Sequence, residues 1–479
     1  MIKGSVSLIK IGLCLLVMSM SLTRAYTQPF YFGADLSYVN EMERCGAVYY
    51  ENGTPINPYG LFVEKGANLV RFRLWHTPSW YDELNDGERY SDFEDVRKSI
   101  IRAKTLGFQV LLDYHLSDTW ADPGHQVVPV AWAAVVDNQP VLGDSLRNYI
   151  LYTLTRLGDE GLLPDIIQIG NETNRGILLS QEVNDQGWSV DWQRNVFLFQ
   201  TALTAIEEIS ATYSVPIKTA IHIADPSDVA WYVEQFVNNG FTGFDIIGIS
   251  YYWQWHQPVT IPQVEQLITS LREDYPGKEV MVFETAYGWT TQNADAANNI
   301  LFNTHPSYAP LSPANQKKWM TDLTQTVIDH GGKGVIYWEP AWVSTECFTP
   351  WVQGSSWDNA TFFDFDNAVI ADGGIGWMKH AYDFTSSTQD NGTALNKLKL
   401  YYADDQIIIE FMEDTPQVYP YKFRLHAMDG KLMQSVDITS PYGNALRIPV
   451  SGILPGCYIV SLQDKVSAPL SERLCIPIR

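Results

Sequence analysis

The chain reads as an α/β protein, a (β/α)8 barrel of the TIM type followed by a small C-terminal all-β sandwich. Three observations predict this. Short apolar, β-branched runs alternate with helical segments from Tyr31 to Trp338, the pattern of a parallel sheet wrapped by helices. Eight such runs occur, the number that closes a barrel. Beyond about residue 385 the texture changes to short alternating runs separated by Pro and Gly turns, as in antiparallel sheets.

The expected strands are Tyr31 to Ala34, Leu69 to Leu74, Gln109 to Tyr114, Ile166 to Ile169, Ile217 to Ile223, Ile246 to Ser250, Val280 to Phe283 and Gly334 to Trp338. Between the second and third, Phe93, Val96, Ile100 and Ala103 recur at helical spacing. Ser91-Asp92 opens that segment and Gly107 closes it, so an amphipathic helix with both caps is expected. Trp319, Leu323, Val327 and Ile328 share one face of a second such helix, from Pro313 to His330. At the start, Lys3 and Lys10 precede an apolar stretch from Ile11 to Leu22, and Thr23-Arg24-Ala25 supplies small residues for a cut after Ala25. Residues 1–25 therefore read as a secretory signal, and the mature protein is expected to be secreted, periplasmic or on the cell surface. The barrel is assigned to residues 26–385, a polar linker to 386–395 and the sandwich to 396–479.

A length of 479 residues accommodates both domains. The net charge of -23 argues against nucleic acid and anionic membrane surfaces as partners, because both require a positive footprint. A neutral polymer is compatible with it. The 16 Trp and 26 Tyr supply flat apolar faces on which sugars stack. Without the signal segment, Cys45, Cys347, Cys457 and Cys475 remain. Barrel closure makes the first and eighth strands neighbours, so Cys45 and Cys347, which follow them, are expected to lie close enough to bridge. Cys457 and Cys475 are expected as strand neighbours in the sandwich. Four separate thiols are the alternative.

Two carboxylates carry the chemistry. Glu172 stands in Gly170-Asn171-Glu172-Thr173-Asn174 and Glu284 in Val280-Met281-Val282-Phe283-Glu284-Thr285, each at the end of a strand, where a barrel places its reactive groups. Such a pair cleaves a glycosidic bond: one carboxyl protonates the leaving oxygen, and the other attacks the anomeric carbon or activates a water. Arg71 and Arg73 alternate with Val70, Phe72 and Leu74, so both point to the interior, where an arginine keeps a carboxylate charged. His115 follows the third strand, and Tyr251-Tyr252 follows the sixth.

Seven ordered motifs carry a family resemblance. They are Phe32-Gly33-Ala34-Asp35-Leu36-Ser37, Val70-Arg71-Phe72-Arg73-Leu74-Trp75, the run Leu112 to Gly124, Gln168-Ile169-Gly170-Asn171-Glu172, Ile247 to Tyr252, Glu284-Thr285-Ala286-Tyr287, and Tyr337-Trp338-Glu339-Pro340-Ala341-Trp342. From Tyr31 to about Asp366 the chain resembles glycoside hydrolase family 53, the arabinogalactan endo-β-1,4-galactanases, within the retaining (β/α)8 glycosidases. The resemblance implies Glu172 as acid/base, Glu284 as nucleophile and Asn171 as the holder of the sugar 2-hydroxyl. Arg73, His115 and Tyr251 or Tyr252 form the supporting shell that it implies, with Trp120, Trp338 and Trp342 as sugar-stacking surfaces. The implied substrate is β-1,4-galactan of pectin, cleaved by a monomer without a cofactor. Some bacterial members hold a structural calcium ion in the loop after strand seven. The corresponding stretch here, Gln292 to Asn299, has a single carboxylate, and Asn293, Asp295 and Asn299 are its candidate ligands. The same mechanism on mannan, xylan or glucan, and an inert glycan-binding barrel, are the rival readings.

Overall fold

The structure is a computed structural model that describes residues 30–186, 189–350 and 352–384, and beyond them residues 398–403, 406–411, 421–427, 432–438, 445–450, 453, 456–463 and 470–476. The expected signal segment and linker lie outside the described residues. Eight parallel strands close into a barrel: β1 Tyr31–Asp35, β2 Leu69–Leu74, β3 Gln109–Tyr114, β4 Ile166–Ile169, β5 Lys218–Ala224, β6 Ile246–Ser250, β7 Glu279–Thr285 and β8 Gly334–Tyr337. Each expected run became a strand, and β1 pairs with both β8 and β2 to complete the ring.

Alternation divides the barrel into layers. Tyr31, Leu69, Leu111, Ile166, Ala220, Ile246, Met281 and Ile336 meet in one apolar cluster at the centre, while the intervening Val70, Phe72, Val110, Leu112, Val280 and Val282 join the core beneath the helices. Two residues further along, the same inward parity delivers Arg71, Asp113, Gln168 and His222, all buried. The interior is therefore apolar below and polar above. Strand β7 breaks the alternation. Met281 and Phe283 face inward, and the pairing register shifts between Ile249 and Ser250 opposite it, so that Ser250 aligns with Glu284. This bulge turns Glu284 inward as well.

The expected helices form at Phe93–Thr105, where the Asp92 side chain accepts from the Asp95 amide, and at Pro313–Asp329, capped by Ser312. Val96, Ile100 and Ala103 of the first and Trp319, Leu323, Val327 and Ile328 of the second are buried as their spacing requires. Among the described residues no helix is long and apolar enough to cross a membrane.

The chain divides into two compact units, 1–387 and 388–479. The second contains a three-stranded sheet (Leu398–Ala403, Gln406–Phe411, Ala445–Pro449) and a four-stranded sheet (Tyr421–Ala427, Leu432–Ile438, Gly456–Gln463, Leu470–Ile476), both antiparallel. The register sets Cys457 opposite Cys475. In the barrel, Cys45 and Cys347 form a disulfide with Cα atoms 5.6 Å apart, closing a sequence separation of 302 residues. Cys347→Ser should lower barrel stability by up to about 5 kcal/mol, the loop-entropy value for so long a closure. Urea unfolding of the variant against the oxidised parent measures it, and an unchanged midpoint would show that the bridge does not restrain the unfolded chain.

Candidate active site

The upper layer of the barrel is organised around the Arg71 guanidinium, 1% exposed. Its Nη1 donates to Asp35 Oδ2 at 2.9 Å and pairs with Glu284 Oε1 at 2.7 Å. Its Nη2 reaches Asp113 Oδ2 at 2.7 Å and Asn171 Oδ1 at 2.8 Å, and Nε donates to Gln168 Oε1 at 3.1 Å. One cation thus touches three carboxylates. Burial alone would raise Asp113, but Arg71 and His115 outweigh it and hold the carboxyl below its usual value; His115 Nε2 stands 3.0 Å from Asp113 Oδ2.

Glu284 is buried at the top of β7 and accepts from the Tyr252 hydroxyl at 3.0 Å. Burial pushes its carboxyl up to about 7, against the pull of Arg71 and Tyr252 and with help from Asp35 and Asp113. Glu172 is raised well above the usual carboxylate range, first by burial and next by the charge of Glu284. Arg71 contacts Glu284 directly, so the one proton that the pair retains belongs on Glu172.

Glu172 arrives there by a turn that no regular strand makes. Gly170 has φ +77 where a Cβ would sit 2.6 Å from Thr173 Cγ2, and Glu172 itself has φ +45, in the left-handed region. Gln126 holds this turn, its Nε2 donating to the carbonyls of Asn171 at 2.7 Å and Glu172 at 3.2 Å. Asn171 is fixed between Arg71 and the Ala121 carbonyl, which accepts from its Nδ2 at 2.7 Å.

A sequence profile described as "Glycosyl hydrolase family 53" matches residues 31–372. The chain belongs to glycosyl hydrolase family 53. It is 46% identical to "Arabinogalactan endo-beta-1,4-galactanase" of Cellvibrio japonicus over 70% of this chain and 87% of that protein. It is 30% identical to "Endo-beta-1,4-galactanase" of Bacillus subtilis over 78% of this chain and 86% of that one. The solved "Ignisphaera aggregans GH53 catalytic domain" superposes with TM-score 0.65 at 30% identity, over 74% of this chain and 96% of its own.

Within this family 53 barrel the expected residues divide. Glu172, Glu284, Asn171, His115 and Tyr252 converge as anticipated. Arg73 does not touch Glu284: its Nη1 pairs with Glu339 at 3.0 Å, and its guanidinium lies within 4.3–4.7 Å of the Tyr38, Trp75 and Trp120 ring centres. Arg71 takes the place expected of Arg73, being one layer closer to the carboxylates. Tyr251 lies outside the site; its hydroxyl donates to Val259 O at 2.8 Å and its ring packs on Trp319. Trp342 is packing as well, buried and stacked on Tyr38 with centroids 4.2 Å apart. Trp120 and Trp338 are half-buried with centroids 5.8 Å apart.

In the loop after β7 the candidate calcium ligands make hydrogen bonds to protein groups. Asp295 Oδ1 accepts from Ala297 N at 2.7 Å, and Oδ2 accepts from Ser355 N at 2.7 Å and from the Ser344 hydroxyl. Asn293 turns its amide nitrogen to the Ala297 carbonyl, and Asn299 turns its own to Asp358 Oδ1. Asp295 and Asn299 thereby tie this loop to the one after β8, while Asn293 bonds within its own loop. Among the described residues, no three His, Cys, Asp or Glu side chains are grouped to hold a metal ion.

Asp35, Asp113, Gln168, His222, Ser250 and Glu339 were not singled out as site residues, although the parity that placed Arg71 inward applies equally to Asp113, Gln168 and His222. Arg71→Met should destabilise the barrel by about 3–5 kcal/mol, because it leaves buried carboxylates without their cation. Arg71→Lys should recover only part of this, since an ammonium cannot reach all five partners. Denaturant unfolding of both variants measures the effect. A methionine variant as stable as the parent would show that the carboxylates do not depend on this charge.

Proposed function

We propose that the chain is a retaining endo-β-1,4-galactanase that cleaves galactan side chains of pectin. The observation that carries this reading is the unequal pair. Glu284 is gripped by Arg71 and Tyr252 in a form ready to attack, while Glu172 stands apart from the cation and keeps a proton. Galactan as the polymer is supported by the 46% identical relative, whose printed name is that of an arabinogalactan endo-β-1,4-galactanase.

In this reading Glu284 attacks the anomeric carbon while Glu172 gives its proton to the departing glycosidic oxygen. The galactosyl-enzyme is then opened by a water whose proton Glu172 takes back. Asn171 holds the 2-hydroxyl of the sugar on Glu284, and Trp120 and Trp338 flank the chain. His115 acts through Asp113 on Arg71, and Arg73 with Glu339 supports the aromatic wall. No step requires a cofactor, and calcium takes no part in the chemistry. Residues 1–25 direct export, which suits an enzyme whose polymer lies outside the cell and whose barrel carries a disulfide.

Release of reducing ends from purified galactan, with xylan, mannan and cellulose assayed alongside, tests the substrate; equal rates on all four would overturn it. Glu172→Gln should still form a glycosyl-enzyme from a dinitrophenyl galactobioside, whose leaving group needs no proton. Azide should restore its turnover with a β-azide product. Glu284→Gln should show neither behaviour, and the reverse pattern would exchange the two roles.

The Tyr252 hydroxyl donates to the ionised form of Glu284 and so lowers its pKa. Tyr252→Phe should therefore shift the acid limb of kcat/KM to higher pH by on the order of half to one unit. Activity would fall more below neutrality than above it. A limb that stayed in place would remove Tyr252 from this role.

A further inference from the structure

Behind Glu172 runs an uncharged hydrogen-bond chain that the cleavage steps do not use. The Ser250 hydroxyl, at the end of β6, lies on the Glu172 side of this chain, where it favours the ionised form of the Glu172 carboxyl. The same oxygen lies 2.9 Å from Nε2 of His222, which β5 contributes from the next position around the barrel. On its other side the imidazole meets the turn that carries Glu172. Its Nδ1 is 3.3 Å from the Glu172 amide nitrogen, 3.0 Å from Gln168 Nε2 and 2.9 Å from Asn171 Oδ1.

The accounting of donors fixes the tautomer. Among the described residues the Glu172 amide has no acceptor other than Nδ1, and a buried amide left unpaired is costly. Asn171 Oδ1, by contrast, already receives Arg71 Nη2 at 2.8 Å and Gln168 Nε2 at 3.1 Å. So Nδ1 accepts, and the ring proton is on Nε2. Nε2–H then donates to Ser250 Oγ. The Ser250 hydrogen is left to point at Glu172.

We propose that His222 and Ser250 are positioning residues for the acid/base. The neutral imidazole orients the Ser250 hydroxyl, and that hydroxyl donates to the Glu172 carboxyl and favours its ionised form. The proposal rests on the reading of Glu172 as acid/base. It answers a difficulty in that reading: in the galactosyl-enzyme Glu284 no longer carries a charge, but burial still resists the ionisation that Glu172 needs to act as base in the second half-reaction. Charged or titratable groups facing Glu172 are Glu284 from β7, Asp122 from the loop after β3, Arg71 from β2 and Tyr252 beyond β6. Those facing His222 are Arg71, Asp113 and His115, and burial with Arg71 keeps the imidazole well below its usual pKa, so it stays neutral.

Ser250→Ala removes the donor to ionised Glu172. The alkaline limb of kcat/KM on a soluble β-1,4-galacto-oligosaccharide should move to higher pH by about half a unit or more. Turnover of a dinitrophenyl galactobioside, limited by the base-assisted second step, should fall about tenfold with KM little changed. His222→Ala should move the limb the same way, and the double variant should move it no further than the larger single effect, because the two residues act in series. His222→Gln, whose amide nitrogen reaches toward Ser250 as Nε2 does, should bring the limb back toward the parent. Thermal melting separates these effects from unfolding.

A limb unmoved in Ser250→Ala, or shifts that add in the double variant, would overturn the chain of contacts. Glu172→Gln supplies the control for the underlying reading. If azide rescues it and the Ser250→Ala limb stays put, only the positioning role falls. If azide does not rescue it, the acid/base assignment falls, and this proposal with it.

Discussion

The Arg71 guanidinium is the charge on which the top of the barrel depends. Asp35, Asp113 and Glu284 crowd into one small volume, and without a cation among them at least two would have to take up protons. Removing an ion from water is expensive, by several kcal/mol for each group after relaxation. Here each of the three Arg71 nitrogens has at least one partner, and the planar fork spans neighbouring strands in a way that a single ammonium does not. The same contact breaks the symmetry of the two reactive carboxylates. Glu284 shares the cation and Glu172 does not, so the pull toward the ionised form is stronger on Glu284.

Both carboxylates reach the cleft through irregular backbone. A regular strand sends alternate residues inward, and by that rule Met281, Phe283 and Thr285 would face the interior and Glu284 the helices. The bulge in β7 overrides the rule. At the end of β4 the left-handed φ of Glu172 does comparable work, at a strain of about 1–3 kcal/mol for a non-glycine residue. Gln126 and His222 hold that turn by hydrogen bonds from two different elements. The loops that frame the cleft are tied in the same manner, by Asp295 to Ser344 and Ser355 and by the Cys45–Cys347 bridge.

Strand parity explains why some of the site was legible and some was misread. Tyr252 lies on the inward register of Ile246, Gly248 and Ser250, whereas Tyr251 lies on the other, so alternation already favours the tyrosine that meets Glu284. Arg71 and Arg73 share a face, and parity alone gives no height, so which of them would meet the carboxylates could not be read. Trp342 follows β8 in a loop without a fixed register. Its stacking on Tyr38 comes from a contact between residues some three hundred positions apart in the chain.

What the sequence determined by itself is the periodic part. Eight apolar runs, the capped helices between them, the inward parity of Arg71 and the strand-end location of Glu172 and Glu284 all follow from local spacing and local backbone chemistry. The tertiary structure alone decided which inward groups share a cation, that β7 bulges so that Glu284 faces the cleft, and that Asp295 and Asn299 tie the loop after β7 to the loop after β8. The physical reason is range. Periodicity is set by residues a few positions apart, whereas charge compensation and the orientation of side chains depend on groups that only barrel closure brings together.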